Sequence, residues 1–110
     1  MHYLLTFLSL LLLSPISSAQ QNNSELNQYF EQQWQRGLSE YPENASYNGD
    51  TRYNAHWTNL SLSSIAQREA ADREALVALH RFNRDQLSAN DQLNYDTFEW
   101  QLKQNISRQA

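Results

Sequence analysis

From Ser24 onward the apolar positions are Leu26, Tyr29, Phe30, Gln33/Trp34, Gly37/Leu38 and Tyr41. Steps of three and four residues lay one apolar stripe along a helix. Ser24 is placed to cap this helix, with Glu25 in its first turn. Pro42 restricts Tyr41 to extended geometry, so the helix is expected to stop near Glu40. A second helix is expected to begin between Leu62 and Ile65, with Ser61, Ser63 or Ser64 as cap and Ser64 and Gln67 at capping-box spacing. Its face is marked by Ile65, Asp72, Leu76, Leu79 and His80. Glu69 precedes Arg73 by four residues, the favourable order for a helix pair, and the end is expected near Asp85. Ser88 opens a third helix, with Asp91 three residues on. Along it, Tyr95, Phe98, Leu102 and Ile106 form one stripe, and Leu93, Thr97 and Trp100 an adjacent one. An arc that wide calls for contact with more than one neighbour. The pattern predicts an all-α chain of three helices, with a long ordered connector between the first and second.

That connector, Tyr41 to Ser61, reads YPENASYNGDTRYNAHWTNLS. Unstructured loops of this length are uncommon in compact domains. Tyr41, Tyr47, Tyr53 and Trp57 are of the type that disordered segments lack, so the connector is expected to be held in place. Asn48-Gly49-Asp50 is a turn signal. A hairpin about Asn48-Gly49 is conceivable, but the flanks do not alternate as strands do, and coil or short turns are expected. The rings of Tyr47, Tyr53 and Trp57 are read as core plugs, with Asp50 or Arg52 ordering the turn. The alternative is a surface that stacks sugars or peptides on those rings, with Asp50 and Arg52 fixing polar groups. The candidate binding residues are therefore Asp50, Arg52, Tyr53 and Trp57.

The beginning of the chain follows another pattern. Leu4 to Leu13 is an apolar run, followed by Pro15 and then Ser17-Ser18-Ala19. This is the layout of a secretory signal peptide, with cleavage expected after Ala19 and Gln20 as the new N-terminus. Residues 1–19 are thus read as signal peptide and 20–110 as a helical segment that is exported, periplasmic or secreted. The run is shorter than the roughly 20 residues a membrane span needs, so no membrane association is expected after cleavage.

All 8 Lys and Arg and all 12 Asp and Glu lie after residue 19, giving a net charge of −4 with both signs interspersed. No basic face exists to attract nucleic acid. The chain has no cysteine, which excludes disulfides, thiol nucleophiles and cysteine metal ligands. After cleavage only His56 and His80 remain, and no HExxH motif occurs. His80 is read as a packed or half-buried histidine and His56 as an ordinary loop residue. No GxSxG elbow surrounds any serine, and Gly37 and Gly49 are too far apart for a phosphate loop. Catalytic residues, metal ligands and cofactors of the chain's own are therefore not expected.

Several short stretches recur together. Tyr41-Pro42-Glu43 closes the first helix, then come Gly49-Asp50-x-Arg52-Tyr53-Asn54 and Trp57-Thr58-Asn59-Leu60-Ser61. A helix with Ile65 and paired Arg and Glu follows, and Leu87-Ser88 leads into Asp91-x-Leu93-x-Tyr95-Asp96-x-Phe98-Glu99. In order and spacing these resemble the N-terminal region of an exported bacterial family, the domain of unknown function 885 proteins. The resemblance implies, for a complete member, a large and mainly helical zinc metallopeptidase, in which a zinc-activated water attacks a peptide carbonyl with a glutamate as base. It places the zinc-binding helix downstream, so no ligand or base is carried onto any residue here. The expectation is an N-terminal segment whose partner is the missing C-terminal part of the same protein, inactive alone. The alternatives are a free-standing exported binding module using the connector 41–61, and self-association through the third helix.

Overall fold

The computed structural model describes residues 18–109, with side chains from Asn23 onward. Among them every regular element is helical: α1 (Ser18–Glu40), α2 (Pro42–Tyr47), α3 (Leu62–Leu79) and α4 (Ala89–Arg108), with single 3-10 turns at Thr51–Tyr53 and Arg84–Gln86. The all-α expectation holds, and the connector carries a short helix of its own. The apolar run Leu4 to Leu13 lies outside the described residues, and Ala19 and Gln20 fall in the first turn of α1. No helix among the described residues is long and apolar enough to cross a membrane.

Local chemistry sets most of the boundaries. α1 already runs from Ser18, so Ser24 sits inside the helix rather than capping it. Its last backbone bond is Tyr41 N–H to Gly37 O, at 3.0 Å. Tyr41 then takes φ −127°, as a residue before proline must, and Pro42 starts α2 at the position where its missing N–H costs nothing. α2 ends at Tyr47, and Gly49 just beyond it takes φ +82°. Gly49 N–H bonds Ser46 O and Asp50 N–H bonds Ala45 O, the paired closure of a left-handed helix end. Asn48-Gly49 is therefore a helix stop and not a hairpin turn. Ser61, rather than Ser64, caps α3 by accepting the Ser64 N–H, and Ser88 caps α4 by accepting the Asp91 N–H.

One boundary departs clearly from the sequence expectation. α3 stops at Leu79, several residues before Asp85. Phe82 N–H closes a turn onto Leu79 O, which returns the Phe82 ring to the core against Tyr29, with centroids 5.7 Å apart. No Gly or Pro announces this end; a tertiary contact makes it.

The core lies where α1, α3 and α4 meet. Leu26 and Tyr29 from α1, Ala75 and Leu79 from α3, and Tyr95 and Leu102 from α4 are buried together with Leu87. The Tyr29 ring is central, edge-on to Phe82 and Phe98 and tilted against Phe30. Its hydroxyl donates to Ala75 O at 2.7 Å, which fixes α1 on α3. Buried Asp91 accepts from Asn23 Nδ2 at 2.6 Å and ties the start of α4 to α1. The inner stripe of α4 packs as expected, whereas Leu93 and Trp100 of its second stripe face outward.

Candidate functional site

The connector is ordered by polar ties rather than by buried rings. Asp50 caps the first 3-10 turn by accepting the Arg52 N–H at 3.0 Å. The Arg52 side chain grips the same carboxylate from Nε and from Nη2, and Nη2 also donates to Gln35 Oε1 on α1. Its guanidinium lies over the Tyr53 ring, 5.4 Å from the centroid. The Arg52 bonds hold the Asp50 carboxyl below the usual carboxylate range. At the far end, Glu43 of α2 accepts both the Thr58 hydroxyl and the Thr58 N–H, and the Glu43 carboxyl is likewise held low. Arg68 of α3 donates to Asn59 O at 2.7 Å. These bonds order the segment with no strand in it.

The structure thus brings Asp50, Arg52 and Tyr53 together and leaves Trp57 apart. Trp57 lines a small hollow with Asn59, Ser64 and Arg68. Trp57 is 82% exposed, and Tyr47 is 91% exposed. Trp57 and Tyr47 are therefore not core plugs, since among the described residues no apolar surface covers them, while Tyr53 is half-buried. The expectation that Asp50 and Arg52 order the turn fits the geometry. His80 is half-buried. Its side chain is 45% exposed, and Nε2 lies 2.6 Å from Glu99 Oε2, while Lys103 holds the other oxygen of that carboxylate. The Lys103 bond, with help from His80, keeps the Glu99 carboxyl below its ordinary value. His56 is an exposed loop residue.

A larger feature escaped the sequence reading. A groove of about 750 Å³ runs between α1, α2 and α4. Phe30, Leu38, Phe98 and Leu102 contribute its apolar lining, with Trp34 and Tyr41 also on its wall. Arg36 organises one side of it. Nη2 donates to Asp72 Oδ1 on α3, Nη1 to both oxygens of Glu40, and Nε to Gln33 Oε1. Burial alone would lower the Arg36 pKa, but the bonds to Asp72 and Glu40 outweigh it and raise the guanidinium above its ordinary value. Gln109 donates to the second Asp72 oxygen, and its own Oε1 is buried with no partner among the described residues. The available signal was Arg36 itself, a cation placed four residues before Glu40 beside the apolar stripe.

No group of three or more His, Asp or Glu side chains among the described residues is placed to hold a metal ion. The groove, its paired charges and the tied connector are equipped for binding and packing. Neither a family model, nor a curated protein, nor a solved structure matches this chain.

Proposed function

We propose that this chain is the exported N-terminal scaffold segment of a metallopeptidase-like helical protein, without a zinc site and inactive by itself. The observation that carries the reading is the outward placement of large apolar side chains on ordered elements. Trp57, Leu60 and Leu62 cluster in sequence around the start of α3, and Leu93 and Trp100 share one face of α4. Exposed apolar surface of that extent marks an interaction face. The motif order from Tyr41-Pro42-Glu43 to Phe98-Glu99 supports the family assignment, and with it zinc as the cofactor of the complete protein only. On this reading the partner is the C-terminal part of the same protein, and the segment works in the periplasm or outside the cell.

A second reading has its own support. The connector 41–61 is tied down at Asp50, Glu43 and Asn59 without help from outside the chain, as a free-standing binding module requires. Its contact surface would be Asp50, Arg52, Tyr53 and Trp57. Solution behaviour separates the two. A scaffold segment alone binds a hydrophobic dye and melts over a broad range. Replacing Leu62 and Trp100 with Glu abolishes the dye signal and leaves helix content intact. A sharp, cooperative melt with no dye binding would overturn the scaffold reading in favour of the module.

A further inference from the structure

We propose that the groove between α1, α2 and α4 is a binding site for a neutral oligosaccharide. Its volume of about 750 Å³ falls within the usual range for small-molecule sites. A shallower recess of about 270 Å³ continues along α4 and shares Phe30, Phe98 and Gln101 with it, so the combined feature is elongated. An elongated site suits a chain of rings better than a compact ligand.

The chemistry of the lining matches sugar rings. Trp34 is 52% exposed and flat, a platform for the apolar face of a pyranose. Gln101 and Asn105, one turn apart on α4, supply amide donors and acceptors side by side, the pairing that vicinal hydroxyls need. Arg36, fixed by Glu40 and Asp72, presents polar atoms that cost little to order. The charge balance selects among sugars. Glu31, Glu40 and Asp72 stand against Arg36, three negative groups to one positive, and repel uronates and phosphosugars. An extended peptide is disfavoured, because the described residues offer no strand edge for it to pair with. The groove is also separate from the docking faces at Trp57, Leu60 and Leu62 and at Leu93 and Trp100, so sugar binding and dye binding report on different surfaces.

The test uses the whole chain with Trp57→Phe and Trp100→Phe, which leaves Trp34 as the one tryptophan reporter. Maltotriose, cellotriose and diacetylchitobiose are titrated in turn, with trigalacturonate and an uncharged tripeptide as controls. At least one neutral sugar is expected to shift Trp34 emission saturably, and trigalacturonate is not. Gln101→Ala should weaken that sugar roughly five- to tenfold, the loss of one hydrogen bond, with unchanged far-ultraviolet dichroism. Trp34→Ala, read by calorimetry, should abolish binding. Emission unmoved by all three sugars overturns the proposal, as does a response to the tripeptide alone or equal binding of trigalacturonate. A chain that is unfolded and stays unfolded in saturating sugar overturns it too, because a ligand of the native groove must stabilise the fold.

Discussion

Tyr29 shows how much one side chain can decide. Its ring meets Phe30, Phe82 and Phe98, and its hydroxyl reaches Ala75 O across the α1–α3 boundary. Burial pushes its pKa up from 10.0 to about 12, partly offset by Arg36. The folded value is the raised one, so the stabilising contribution is complete below pH 10 and is lost as pH rises toward 12. Helix content should therefore fall across that window as tyrosinate absorbance grows. Tyr29→Phe keeps the ring contacts and should cost about 0.5–1.5 kcal/mol at neutral pH by chemical denaturation. It should also flatten the alkaline loss; an unchanged alkaline profile would assign that loss to other groups, of which Tyr95, also raised by burial, is the first candidate. The inward position of Tyr29 was legible from the stripe. Its hydroxyl partner, 46 residues away, was not, because periodicity carries no information about the neighbour across an interface.

At the level of elements, ends written by local chemistry were readable and ends made by packing were not. The stop before Pro42 and the Ser88 cap follow from signals within four residues. The end of α3 depends on where Phe82 packs, which no local residue states. Among three adjacent serines the hydroxyl that caps α3 is Ser61, so Ser61→Ala should lower stability by about 1 kcal/mol while Ser63→Ala stays within about 0.5 kcal/mol. Gly49→Ala isolates a different quantity. Nothing lies within 4 Å of the added Cβ, so the expected loss of about 1–2 kcal/mol comes from the positive φ alone. Thermal melts of the three variants check both statements; equal melting of Ser61→Ala and Ser63→Ala would refute the cap assignment.

The molecule as a whole is held by a small apolar centre and a set of exposed polar ties. Glu43, Asp50, Asp96 and Glu99 all have carboxyls held low by hydrogen bonds to Thr58, Arg52, Arg84 and Lys103 respectively. For a depressed carboxyl the contribution is present above the unfolded pKa, about 4, and is lost as pH falls through the folded value. Acid should loosen the connector before it melts the core helices. Below about pH 4 the protection of the Thr58 amide against hydrogen exchange, relative to its intrinsic rate, should fall more than that of α4 amides, and an equal fall would count against the Glu43 tie. By itself, the sequence determined that the described chain is helical, where α1 stops and which residue caps α4. All of these rest on spacing and on side-chain-to-backbone chemistry within a few residues. Only the tertiary structure decided that Trp57 and Tyr47 stay outside, that Arg36 joins Asp72 over 36 residues of sequence, and that a groove opens between α1, α2 and α4. An apolar residue announces that it needs a partner, but which surface supplies one is settled by helices meeting in space.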